Sequence, residues 1–199
     1  QPKPFTPFQQ SKLFRKPAFR LIRDFNLNYL PSHISLRTDI YRYYNEKKLR
    51  NIDNPELRIE PTFQKDFEWN TYFDLKYDLT RSMKIDFSSS NTARIDEPEG
   101  GVDKERYGDS YALWKDSVLT NLKNMGRTVS YHHNLNFTYT LPINKIPLFN
   151  WVTVNARYNS TFGWDAGPQF ADTSGIELGN TIKNSNTGQL TGQLNMLNL

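Results

Sequence analysis

The sequence predicts an all-β chain: a sector of an antiparallel transmembrane β-barrel, about seven strands of a much larger wall, with long extracellular loops and a short helix in one of them. Three observations predict it. The first is the run FEWNTYFDLKYDLT at 67–80, free of proline and glycine. Here Phe67, Trp69, Phe73, Leu75, Tyr77 and Leu79 share one parity, and Glu68, Asn70, Asp74, Lys76 and Asp78 the other. A period of two places these sets on opposite faces of a strand, longer than the roughly five or six residues usual in globular sheets. The second is that short connections alternate with long ones along the chain. The third is an excess of rings, 14% of residues with 13 Phe and 11 Tyr, in a chain whose mean hydropathy is only -0.72. Rings in a polar sequence are what membrane-interface girdles produce.

Seven alternating segments follow in order. Residues 1–18, beginning QPKPFTPFQQ, are too rich in proline for a regular start and are expected to be an extended segment ahead of the barrel wall at 19–199. The first strand is expected at about 19–30, with Leu21, Phe25, Leu27 and Tyr29 on one face, and the second at about 33–44, with Ile34, Leu36, Thr38, Ile40 and Tyr44. The third contains 67–80, and the fourth, at about 82–95, sets Met83, Ile85 and Phe87 against Lys84, Asp86 and Ser88. The fifth, at about 127–141, aligns Val129, Tyr131, Leu135, Phe137 and Tyr139 against Ser130, His132, Asn134, Asn136 and Thr138. In the sixth, at about 151–164, Val152, Val154, Ala156, Tyr158, Phe162 and Trp164 oppose Thr153, Asn155, Arg157, Asn159 and Thr161. The seventh is expected at about 189–199, where Leu190, Leu194 and Met196 alternate with polar residues.

Short turns at LPSH, LTRS and LPINKIPLFN separate long loops at about 45–61, 96–127 and 165–188. That segregation is the layout of an outer-membrane barrel with the long loops outside. Phe67 and Trp69 then fall in the outer girdle, Phe73 and Leu75 in the lipid band, and Tyr77 and Leu79 at the inner interface. Leu135, Phe137, Tyr139, Val152, Val154 and Tyr158 face lipid on later strands, while Asn134, Asn136, Asn155 and Arg157 face the lumen with the residues of the polar parity at 68–78. Three cations share the lipid parity: Arg23, Arg42 and Lys65. All lie toward long loops, where charge costs about 0–1 kcal/mol rather than the 2–4 of the midplane, and are expected to meet outer-leaflet phosphates. Within the longest loop, Tyr111, Trp114, Val118 and Leu122 keep helical spacing, with Asp109 or Ser110 as cap and Gly126 as stop. This helix either packs on the rim or forms a partner-docking surface.

Composition excludes several function classes. No stretch approaches the roughly 20 apolar residues of a helical span. A net charge of +4 with scattered Lys and Arg gives no nucleic-acid stripe. Without cysteine there is no disulfide, thiolate metal site or cysteine nucleophile. The carboxylates Glu68, Asp74 and Asp78 suit a wet lumen better than acid–base catalysis, having no nucleophile beside them. His132 and His133 are adjacent, so a strand points them apart and they do not chelate one zinc ion. The acidic run IDEPEGGVDKE at 95–105 lacks the spacing of a calcium loop and reads as a solvated loop. No catalytic, cofactor or metal residue is assigned. The proline-rich start and the alternating end are both expected to lie within a longer protein, because a sheet of seven strands leaves open edges that hydrocarbon does not tolerate.

Four stretches together resemble one family: NIDNPELRI at 51–59, YDLTRSMK at 77–84, YTLPINKIPLFNWVTVNARY at 139–158 and LGNTIKNSNTGQLTGQLNM at 178–196. Their order and spacing are similar to SprA (Sov), the outer-membrane translocon of the Bacteroidetes type IX secretion system. The resemblance implies a very large barrel closed by a single chain, passing folded cargo proteins to the cell surface. It implies as partners a PorV-like barrel protein at a lateral opening, a periplasmic plug protein and the energised GldL/GldM machinery; outer-membrane lipid is expected from the barrel reading, and no nucleic acid and no cofactor are expected. Two alternatives stand beside it: a sector of a TonB-dependent receptor or nutrient porin, and a soluble aromatic-rich β-adhesin domain. A barrel lipase would need a Ser/His pair on the outer rim, and the sequence shows none.

Overall fold

A computed structural model describes residues 4–10, 19–54, 56, 58–146, 148–168 and 179–196. Six strands form one antiparallel sheet in sequence order: β1 His33–Lys47, β2 Thr62–Thr80, β3 Met83–Arg94, β4 Arg127–Leu141, β5 Val152–Asp165 and β6 Thr181–Leu194. Among the described residues the strands number six rather than about seven, and β1 and β6 end the sheet without pairing to each other. Helices α1 (Arg20–Arg23) and α2 (Gly108–Lys123) accompany them, with a 3₁₀ turn at Pro142–Lys145. No described helix is long and apolar enough to cross a membrane.

The expected strand at about 19–30 does not form. Its alternation is interrupted by Arg23, and α1 takes its place. Beyond α1, asparagine side chains compete with the ladder. Asn26 Oδ1 accepts from the Arg81 backbone N–H at 2.7 Å, and Asn28 Nδ2 donates to the Asp78 carbonyl. The path 26–32 therefore tracks the end of β2 irregularly, with Asn28 and Ser32 N–H groups donating to the carbonyls of Leu79 and Lys76. Phe5 adds one isolated bridge to Leu27, while residues 1–3 and 11–18 of the expected extended segment lie outside the described residues.

β6 is displaced from expectation in the other direction. It begins at Thr181, eight positions before the expected start, through the polar stretch TIKNSNTG. Its extent follows its partner: β5 offers a ladder from Val152 to Asp165, and β6 answers it from Leu194 to Thr181. Backbone hydrogen bonding supplies the reason to be extended where side-chain alternation does not. The last loop accordingly shortens to 166–180, of which 169–178 fall outside the described residues.

The sheet is a single layer. Among the described residues only Phe67, Ala93, Ile95 and Val118 are buried hydrophobics, and they gather where α2 lies on the sheet. Elsewhere large apolar side chains stand open: Leu36 at 71% and Leu190 at 72% exposure. Globular domains bury such a face against a second layer; here α2 covers one end only. Truncating Phe67 to alanine should remove the centre of that contact and cost about 3 kcal/mol. Denaturant unfolding monitored by tryptophan fluorescence, wild type against Phe67→Ala, measures it.

Candidate functional site

The functional surface of a one-layer sheet is its two faces, so register decides the site. Paired residues share a face. Row by row, Ile34, Leu75, Phe87 and Leu135 align, then Leu36, Phe73, Ser89, His133 and Phe162, then Tyr77, Ile85, Phe137 and Tyr158. Met83, Tyr139 and Ala156 follow, with Leu141 opposite Val154 and Val152 opposite Leu194. The positions expected to face lipid thus fall on one face, apart from Leu79, which lies in the irregularity between Tyr77 and Thr80. Rings couple neighbouring strands there. Phe73 and Phe87 have centroids 6.1 Å apart, Phe87 and His133 5.7 Å, and His133 stacks on Phe162 at 5.2 Å with a 20° interplanar angle.

The opposite face carries the expected polar set: Glu68, Asn70, Asp74 and Lys76 on β2, Asn134 and Asn136 on β4, Asn155 and Arg157 on β5. Asp78 lies beyond the last regular pair on this strand and ion-pairs with Lys84 at 3.6 Å. Short amides and hydroxyls satisfy one another across strands. Asn159 Nδ2 donates to Asn134 Oδ1 at 2.9 Å and Asn136 Oδ1 at 2.7 Å. Thr92 donates to Asn70 at 2.7 Å and Thr140 to Asn155 at 2.8 Å. The Arg37 guanidinium lies 4.7 Å from the centroid of the Tyr72 ring.

At the long-loop end the expectations change. Phe67 and Trp69 do not stand free in an outer girdle: Phe67 is 8% exposed, and both pack with Ile95 against Trp114, Val118 and Leu122 of α2. Those helix residues are consequently turned onto the sheet and are not a free docking surface; the Tyr111 ring lies tilted at 33° against Trp114, centroids 5.6 Å apart. The helix starts at Gly108 after Tyr107, so Asp109 and Ser110 lie inside its first turn rather than capping it. Asp109 still places a carboxylate at the positive end of the helix, and Lys123 a cation at the negative end. Met125 and Gly126, at φ 60° and 70°, reverse the chain into β4. Glycine is required at 126, where a Cβ would stand 2.9 Å from the Arg94 carbonyl oxygen.

The cations of the apolar parity are likewise occupied within the chain. Arg42 forms a two-pronged pair with Glu97, Nε to Oε1 at 2.9 Å and Nη2 to Oε2 at 2.8 Å. Lys65 Nζ donates to the Pro98 carbonyl at 2.6 Å, and Arg23, in α1, contacts Asp24 at 3.3 Å. All three thus have polar partners within the chain. Glu97 is the hinge of the cap, since Trp114 Nε1 also donates to it and its side chain is only 2% exposed. Burial pushes its carboxyl up, but hydrogen bonds from Arg42 and Trp114 and the charges of Arg42 and Lys65 outweigh it and hold the pKa below the usual range.

The acidic run does not converge on a cation. Asp96 pairs with Arg127, Glu97 with Arg42 and Asp103 with Arg106, and no group of three candidate ligands occurs among the described residues. His132 and His133 point to opposite faces, as alternation requires. The fold does bring together a set that sequence spacing conceals. Ser130 Oγ lies 2.9 Å from His132 Nε2 and donates to Asp165 Oδ1 at 2.8 Å, with His132 Nε2 3.2 Å from the same carboxylate. The β4–β5 register, which pairs Ser130 with Asp165, was the missing information. Gly163 opposite His132 leaves room for the ring, since a Cβ there would fall 2.7 Å from Nδ1. A nucleophile relay needs the carboxylate on the nitrogen remote from serine. Here serine and aspartate share Nε2, so the set is a polar cross-strand tie.

Because the folded pKa of Glu97 is depressed, its stabilisation is complete above the unfolded value near 4.5 and is lost as pH falls through the folded value. Acid should therefore release α2 before the sheet, read as faster amide exchange over 108–123. Glu97→Gln should flatten that pH dependence and destabilise the cap by about 3 kcal/mol at neutral pH, the low end for breaking a buried ion pair. Searches against family models and against curated proteins match nothing to this chain.

Proposed function

We propose that the chain is a structural sector of the outer-membrane protein-conducting pore of a type IX secretion system, its apolar face toward lipid and its polar face toward the lumen. The observation that carries this reading is the single-layer sheet in which β1 to β5 keep one face aromatic and aliphatic over most of its extent and the other polar. An uncovered apolar face of this extent is stable against hydrocarbon and unstable against water. On β2, the residues below the α2 cap, Thr71–Thr80, are about the 9–11 that a tilted barrel strand needs to cross.

The geometry of the ends supports the same reading. β2 and β3 are joined by a tight turn at 81–82 and β4 and β5 by the 3₁₀ turn and 146–151, whereas 48–61, 95–126 and 166–180 connect the opposite ends. Short turns inside and long loops outside is the outer-membrane arrangement. The polar face lines the lumen with Asn, Ser and Thr that are already tied to one another, leaving passing proteins few groups to adhere to. The likeness of 51–59, 77–84, 139–158 and 178–196 to the SprA family supplies the cargo, folded proteins, and the PorV-like, plug and GldL/GldM partners. Strands beyond β1 and β6 complete the wall.

Two neighbouring substitutions test the face assignment. Phe73→Arg places a cation at mid-depth on the lipid side, costing about 2–4 kcal/mol and blocking assembly. Asp74→Arg, on the lumen side, should leave assembly intact and change only passage. Protease-resistant, heat-modifiable barrel in isolated outer membranes is the readout; equal behaviour of the two variants sinks the reading.

A further inference from the structure

The apolar side of the sheet is covered at its long-loop end by α2, and the helix has two flanks that are not equivalent. One is taken by the loop that follows β3: Asn121 Nδ2 donates to the Asp96 carbonyl at 2.8 Å, and a Cβ on Gly100 would stand 3.2 Å from Ser110 Oγ. That loop lies over the strand ends, with Pro98 held by Lys65 and Glu97 by Arg42. The flank opposite is therefore turned toward the middle of the sheet, along the apolar face. At i, i+3 and i+4 spacings it carries Ala112, Lys115, Leu119 and Lys123, all exposed.

The arginines of the cap are taken: Arg42, Arg94, Arg106 and Arg127 each pair with a carboxylate. Among the described residues Lys115 and Lys123, like Lys104 in the preceding loop, are in no ion pair, and Leu119 between them is 47% exposed. An exposed leucine flanked by lysines, on a helix lying across a lipid-facing wall, is the composition of an interfacial helix. Lysine suits this place because its flexible apolar stem lies along hydrocarbon while the ammonium reaches the headgroup layer.

We infer that this flank of α2 rests on the outer leaflet, with Lys115 and Lys123 taking anionic headgroup phosphates and Ala112 and Leu119 entering the headgroup layer. The inference rests on the membrane reading above and adds the depth at which the wall sits: the cap stands on the bilayer surface, and the strand ends beyond Phe67 stand above it.

This sequence holds no cysteine, so single nitroxide labels can be set in it within the completed barrel, any cysteine elsewhere in that barrel being replaced, and the barrel reconstituted into phosphatidylcholine vesicles with or without phosphatidylglycerol. Labels at Leu119→Cys, Leu113→Cys and Leu135→Cys are compared for collision with oxygen and with a water-soluble nickel chelate; Leu113, 69% exposed, stands on the side of α2 away from the sheet. The expected order is Leu135 deep in hydrocarbon, Leu119 at headgroup depth and Leu113 in water. Combined Lys115→Glu and Lys123→Glu should raise nickel collision at Leu119 several-fold in the anionic vesicles and leave Leu135 unchanged. A Leu119 label as wet as Leu113 beside a deep Leu135 overturns the inference and spares the membrane reading. A Leu119 label indifferent to both charge reversals overturns the headgroup contact, and a wet Leu135 removes the membrane reading itself.

Discussion

Register between neighbouring strands is the constraint on which everything else in this molecule depends. A slip of one residue in any ladder would turn that strand's aromatic set to the polar side. In a two-layer domain the core would resist such a slip. This sheet has no second layer, so cross-strand contacts on each face must specify register alone. On one face the row of ring contacts Phe73–Phe87–His133–Phe162 does so, and on the other the Asn159 fork to Asn134 and Asn136. Tight connections at 81–82 and 142–151 pin two ladders further.

The cap answers a local form of the same problem. β2 runs for 19 residues and carries Phe67 and Trp69 to the long-loop end of the sheet. Uncovered in water, those rings would be a liability; covered by Trp114, Val118 and Leu122, they become the one true core of the described chain. Holding a helix there requires more than apolar area. Arg42 sits on the apolar parity of β1, and alone it would be a charge beside rings. Glu97 neutralises it, accepts Trp114 and ties loop, helix and strand at one buried carboxylate.

Much of this was legible in the residues and some was not, for identifiable reasons. Wherever alternation was strong, as at 67–80 and 127–141, strand identity and face followed from the pattern, because a period of two has no other regular reading. At 19–30 the apolar residues carried a similar period but Arg23, Asn26 and Asn28 did not support it, and side-chain bonds to backbone took the ladder's place. At 181–188 the opposite held: no apolar alternation, yet a strand, since β5 offered unpaired backbone groups. The Ser130–His132–Asp165 tie was invisible because its members meet only through the β4–β5 register.

The sequence by itself determined that the chain is antiparallel β with one apolar and one polar face, and that a helix interrupts the loop before β4. Both follow from period and spacing, which local chain geometry enforces. Only the tertiary structure decided where the apolar face ends, that Arg42 and Lys65 are satisfied within the chain, and which side of α2 is left free. Those depend on contacts between residues 25 to 61 positions apart, such as Asn121 with Asp96, Glu97 with Arg42 and Tyr107 with Glu46, and no local pattern encodes a partner at that distance.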